Sequence, residues 1–213
     1  MKRPVVFWDV DTQKDFMDAS GKLYVPEAEA IKPQLRRLTE YAHAHDITIV
    51  ATADDHVPGH RELSAAPDYR DTFPDHCMRG TSGAEKIAET TLTDALVVEP
   101  DAVDHDRLAQ RLHKHTGDVL IRKHWFDVFS NPNTETVIES LDPTEIVVYG
   151  VALDVCNKFA IEGFLERGVP QVYAVVDAAK PIHAQDAETL LRSWEKEGVK
   201  LVTTDDVVQG RVI

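Results

Sequence analysis

The stretch from Glu145 to Gly168, EIVVYGVALDVCNKFAIEGFLERG, constrains the fold of this chain more than any other. Glu145–Val151 is a short apolar run rich in β-branched residues, the pattern of a strand buried on both faces. From Ala152 the period changes: Ala152, Val155, Cys156, Phe159, Ala160, Gly163 and Phe164 follow the spacing of one helix face. The strand-to-helix corner between them sets Cys156 in the first helical turn, where unpaired backbone N–H groups and the positive end of the dipole favour a thiolate. Two readings of that residue stand side by side, an inert packed thiol on an apolar stripe and a nucleophile.

The rest of the chain repeats the strand-helix theme. Strands are expected at Pro4–Val10, Ile47–Ala53, Ala95–Val98, Asp118–Arg122, Gln171–Val176 and Lys200–Thr203, and helices at Glu27–His45, Asp104–His115, Asn133–Leu141 and Asp186–Gly198. Alternation of this kind implies parallel strands with helices on both faces, in one domain spanning 1–213. Val57 to Gly83 has no period and carries Pro58, Gly59, Pro67, Pro74 and Gly80; a loop that long inside a compact domain is a candidate functional segment.

Composition closes off several classes. A formal net charge of -14 argues against nucleic acid or an anionic membrane surface as partner. Two cysteines, Cys77 and Cys156, make no disulfide framework, so a reducing, cytoplasmic setting is expected. No run of about 18 apolar residues suggests a membrane span.

In parallel sheets of this kind ligands bind beyond the carboxyl ends of the strands, which gathers Asp11, Asp54, His56, Lys123 and Cys156 into one crevice. A carboxylate, an ammonium and a thiol together suit acyl transfer: the ammonium lowers the thiol pKa, and the carboxylate accepts the proton and returns it to a leaving amine. Asp54 and His56 lie two apart at a strand end, so in extended geometry they share a side. One carboxylate with several imidazoles, His56, His60 and His76, suits zinc first, with iron or manganese as alternatives. Taken singly, these histidines read equally as loop surface.

The stretches VDTQKDF (10–16), ATADDH (51–56), PDYRDTFPDHCMRGTSGAE (67–85), RK (122–123) and YGVALDVC (149–156) resemble the isochorismatase-like cysteine hydrolases, and within them the nicotinamidase/pyrazinamidase branch. The resemblance implies a three-layer α/β/α fold around a six-stranded parallel sheet, assembled as a dimer or tetramer. It implies a catalytic triad of Asp11, Lys123 and Cys156, with Asp9 as a strand-end neighbour. An oxyanion hole is implied at the backbone N–H groups of Ala152 and Cys156, behind a non-proline cis peptide at Val151-Ala152. Phe16 and Phe73 fall on positions that sandwich a substrate ring. Asp54, His56 and His76 fall on metal positions; His60 completes the set only with a gap, and Glu62 competes for its place. The implied reaction is hydrolysis of nicotinamide to nicotinate and ammonia through a thioester, a step of NAD salvage.

Three features depart from that branch: a strand-helix segment at 91–115, the run HWFDVFSNPN after Lys123, and Leu153 where many relatives have Thr. Two other readings therefore accompany the first. One keeps the fold and triad for another amide or ureide, carbamoyl or maleamate-like, without a metal. The other is a catalytically silent binding scaffold.

Overall fold

The structure, a computed structural model, describes residues 4–213. Among the described residues seven strands form one sheet: β1 (Val5–Val10), β2 (Thr48–Asp54), β3 (Leu96–Val98), β4 (Val119–Lys123), β5 (Glu145–Val151), β6 (Gln171–Lys180) and β7 (Lys200–Val202). Every neighbouring pair is parallel, in the order β3-β4-β2-β1-β5-β6-β7. The expected count of six is corrected to seven. The added strand is β3, a three-residue edge strand hydrogen-bonded to β4 and supplied by the 91–115 segment.

Helices α1 (Lys14–Met17), α2 (Lys32–Ala44), α3 (His105–Lys114), α4 (Thr134–Leu141), α5 (Cys156–Glu166), α6 (Ala184–Lys196) and α7 (Thr204–Val208) cover the sheet. The alternation of strand side chains divides the interior into two cores. Val6, Trp8, Val10, Val50, Ile121 and Val148 meet Leu108 and Leu112 of α3, Val137 of α4, Phe164 of α5 and Trp194 of α6 on one face. Phe7, Ile49, Val147 and Tyr149 meet Phe16 and Met17 of α1, Leu35 and Leu38 of α2 and Val207 of α7 on the other. Every residue of β2 is buried, as a central strand covered by helices on both sides requires. Among the described residues no helix is long and apolar enough to cross a membrane.

The segment 57–83 contains no helix or strand before the short 3-10 turn at Ser82–Ala84, as its lack of period implies. Expected helix ends shift by a few residues: Glu27–His45 divides into a 3-10 turn at Ala28–Ile31 and α2, with Pro33 in the first turn of the α-helix where its missing N–H costs nothing.

Strand β2 lies on one side of β1 and β5 on the other, so the topological switch falls between β1 and β5. Gly150 brings the two strand ends together. Its φ is +111°, and a Cβ there would sit 2.1 Å from the Val10 carbonyl oxygen, so both backbone conformation and space demand glycine. Gly150→Ala is expected to destabilise the protein by about 3 kcal/mol or more, summing backbone strain and overlap. Urea unfolding measures this, and a loss below about 1 kcal/mol would mean that β5 moves off β1 at little cost.

Candidate active site

Four adjacent strands, in the order β4, β2, β1, β5, deliver Lys123, Asp54, Asp11 and Cys156 to one sheet edge. Lys123 and Asp54 are register partners at the ends of β4 and β2. Asp11 is the first residue past β1, with φ +48°. Cys156 is the first residue of α5, and the preceding N-cap position is Val155, whose side chain offers no cap. The Asn157 N–H donates to the Ala152 carbonyl at 3.0 Å, which leaves the Cys156 N–H to face an incoming oxygen. The peptide between Val151 and Ala152 is cis, as the resemblance implies.

Lys123 Nζ lies 2.9 Å from Asp11 Oδ2, 2.5 Å from Asp54 Oδ1 and 3.7 Å from Cys156 Sγ. Thr52 fixes the other carboxylate oxygen of Asp11, its hydroxyl donating to Oδ1 at 2.6 Å. Asp11 and Lys123 are at most 1% exposed and Cys156 is 8% exposed, so the acid and ammonium are withdrawn from solvent while the sulfur faces a cavity. Burial acts to lower the Lys123 pKa, but Asp11 and Asp54 outweigh it and hold the ammonium firmly charged. Burial raises the Asp11 carboxyl, reinforced by Asp54 and opposed by Lys123. It also pushes the Cys156 thiol well above its ordinary value, despite Lys123. That corrects the expectation of a depressed thiol pKa: desolvation exceeds the pull of ammonium and helix terminus. The buried Asp11 carboxyl stands beside the sulfur, within reach of the same ammonium.

Beside this trio, Asp54, His56, Glu62 and His76 form a buried group whose donor atoms all lie within 4.8 Å of one another. His76 Nε2 is 3.6 Å from Asp54 Oδ2 and 3.4 Å from Glu62 Oε1. His56 Nε2 is 3.8 and 3.9 Å from the same two oxygens. Among the described residues Asp54 Oδ2, His56 Nε2 and His76 Nε2 find no hydrogen-bond partner although all are buried. Orphaned polar atoms are costly, and two carboxylates with two imidazoles converging on one point match a divalent cation. Charge agrees: burial opposes protonation of His76, but Asp54 and Glu62 hold its pKa up at about 10. Burial pulls His56 down to about 4. His60 is corrected out of this group. Its Nδ1 points at the far nitrogen of His56, 3.2 Å away, and Glu62 takes the fourth place.

The loop is pinned where it supplies these donors. Gln13 clamps the Asp54 backbone, accepting its N–H at 2.7 Å and donating to its carbonyl at 2.8 Å. Asp15 accepts the Cys77 N–H at 2.7 Å, fixing the residue after His76. Arg79 grips Asp55, its Nε 2.9 Å from Oδ2, and its N–H reaches the His56 carbonyl at 2.7 Å. The N–H of Phe73 donates to the Glu62 carbonyl at 2.8 Å, which ties the Glu62 backbone to the stretch that leads to His76.

Cys156, Asp54 and Glu62 line one narrow cavity, bounded by Phe16, Leu23, Val25, Phe73, Phe126, Ala152, Val155 and Ile182. Phe16 and Phe73 both lie against His76, with ring centroids 5.3 and 6.2 Å from its imidazole. Phe126, Leu23, Val25 and Ile182 were not legible as site residues; each lies in a connecting stretch that carries no period.

The isochorismatase domain model matches residues 7–206. The chain is 25% identical to a nicotinamidase of Escherichia coli (strain K12) over 218 residues, covering 92% of this chain and 93% of the relative. It is 38% identical to a nicotinamidase/pyrazinamidase of Mycobacterium tuberculosis over 80 residues, 36% of this chain and 40% of that one. The crystal structure of a pyrazinamidase of Pyrococcus horikoshii in complex with zinc superposes with a TM-score of 0.72 at 25% identity, covering 94% of this chain and 99% of the other. With a domain match running nearly from end to end and the same fold in the Pyrococcus horikoshii structure, this chain belongs to the isochorismatase family.

Proposed function

We propose that the protein is a cysteine amidohydrolase that converts a small planar aromatic amide of the nicotinamide type to its acid and ammonia through a thioester on Cys156. The observation that carries this reading is the placement of Lys123 Nζ 3.7 Å from the Cys156 sulfur and 2.9 Å from the Asp11 carboxylate, beside a largely apolar cavity.

Asp11 takes the Cys156 proton as the sulfur attacks the amide carbon, and Lys123 steadies the charge passing between them. The N–H groups of Ala152 and Cys156 receive the developing oxyanion, worth roughly 10²–10³ in rate per donor. Asp11 then gives its proton to the departing nitrogen, which leaves as ammonia. Asp11 next draws a proton from the water that cleaves the thioester, and the sulfur recovers it. Thr52, bonded to the other oxygen, keeps Asp11 aimed at the sulfur.

Asp54, His56, Glu62 and His76 would hold a divalent cation, zinc first, with iron or manganese as alternatives. Such a cation supplies a Lewis-acid anchor for a lone pair on the substrate's far side. Phe16 and Phe73 would enclose a flat ring between that anchor and Cys156. Apart from Cys156, Asp54 and Glu62 the residues lining the cavity are apolar, which favours a neutral amide. Convergence of Asp11, Lys123 and Cys156 speaks against a silent scaffold.

His76→Ala is expected to lower bound zinc from one equivalent to below about a tenth, because a buried ligand from a four-donor set is lost. Nicotinamide hydrolysis should fall about 10²-fold or more with it. Elemental analysis alongside an ammonia assay checks both. Full activity in verified metal-free enzyme would reject the metal's part.

A further inference from the structure

The structure assigns His60 a role that rests on the cation reading above: we infer that it is a positioning residue, which fixes the tautomer of His56 so that Nε2 of His56 faces the cation as a free lone pair.

Two hydrogen bonds make the argument. His60 Nδ1 lies 3.2 Å from His56 Nδ1, and a bond between two imidazole nitrogens has one donor and one acceptor. The distance alone leaves the direction open. The backbone N–H of Val57 resolves it, because it donates to the same His60 Nδ1 at 3.4 Å. A nitrogen that accepts from an amide carries a lone pair, so His60 bears its proton on Nε2. The hydrogen between the two rings therefore sits on His56 Nδ1. In neutral His56 that leaves Nε2 unprotonated, and this is the atom 3.8 Å from Asp54 Oδ2 and without a hydrogen-bond partner.

The other imidazole is set the same way by a different device. His76 Nδ1 lies 2.7 Å from the Pro74 carbonyl oxygen, which can only accept, so His76 also keeps Nδ1–H and turns Nε2 inward. A carbonyl is the usual outer partner of a ligating histidine. For His56 the chain uses a second imidazole. The turn that presents it is local: the His60 N–H donates to the Val57 carbonyl at 3.2 Å, and the His60 carbonyl accepts from Leu63 at 2.9 Å. His60 thus stands one shell behind the cation, and Glu62 beside it.

The test measures zinc affinity by competition with a chromophoric chelator on metal-free wild type, His60→Leu and His60→Asn. Outer-shell partners typically contribute 10–100-fold in affinity, so His60→Leu is expected to raise the zinc Kd by about that factor. His60→Asn, whose side-chain oxygen accepts from about the same position as Nδ1, should recover most of it. Leu and Asn variants weakened equally would overturn the assignment, since packing or direct ligation gives no reason for an acceptor to rescue. Wild-type affinity in His60→Leu would overturn it too. Long-range proton–nitrogen NMR of the zinc-loaded wild type should show His56 protonated at Nδ1 and His60 at Nε2; the reverse pair of tautomers is incompatible with the proposal. If wild type binds no zinc, the assignment and the cation reading fail together, whereas unchanged binding in the variants removes only the first.

Discussion

Cys156→Ala should abolish ammonia release from nicotinamide, with kcat reduced by about 10⁴-fold or more, as expected when a covalent nucleophile is removed and only binding and oxyanion donors remain. The fold should survive. Cys156 is the first residue of α5, set against a cavity rather than in the centre of either core, so the truncation costs about 1 kcal/mol of packing and moves Tm by roughly 2–4 °C. Ammonia assays and thermal unfolding on the same preparation separate chemistry from stability. Acid-quenched wild type should carry the acyl group on Cys156 by mass spectrometry, and Cys156→Ala should carry none. Turnover at wild-type rate in this variant would refute the mechanism outright.

Lys123→Met should damage both stability and activity. The ammonium is shared by Asp11 and Asp54 at 2.9 and 2.5 Å, and all three groups are buried. Replacing it by an apolar side chain of similar length leaves two carboxylates facing each other without a counter-charge. Breaking a buried pair from one side costs about 3–5 kcal/mol, which at about 2–4 °C per kcal/mol predicts a Tm lower by roughly 6–20 °C. Activity should fall about 10³-fold or more, because the proton acceptor and the sulfur both lose their charged neighbour. Combining Lys123→Met with Asp54→Asn should give a Tm loss well short of the sum of the two single losses, since each removes part of what the other leaves unpaired. Additive losses would show that Asp54 and Lys123 act independently.

Much of this arrangement is legible in sequence because it is written in strand ends. A buried parallel strand is a continuous apolar run whose polar end must sit at the crevice, which reaches Asp54 and the end of the Lys123 strand; Cys156 follows from the change to helical spacing, and the choice of Asp11 over Asp9 needed the resemblance. The seventh strand was visible as the Leu96–Val98 run but had no place in the six-stranded plan of the resemblance. What sequence could not resolve lies in the 57–83 loop. The choice between His60 and Glu62 depends on a turn at Val57–Leu63 and one backbone pairing between Glu62 and Phe73, neither of which leaves a period. The thiol pKa was misread for a different reason: helix position can be read from spacing, whereas desolvation depends on everything packed around the sulfur.

The polypeptide divides its labour unevenly. On the proposed reading the bond-making groups stand on the rigid sheet edge, whereas Glu62 and Phe73, which line the cavity, and His76, which packs with them, all ride on one excursion between β2 and β3. Such excursions accept insertions and replacements more readily than strands do. Exchange of that single segment would change what the cavity admits while Asp11, Lys123 and Cys156 stayed in place, which gives this scaffold a short path to diversification.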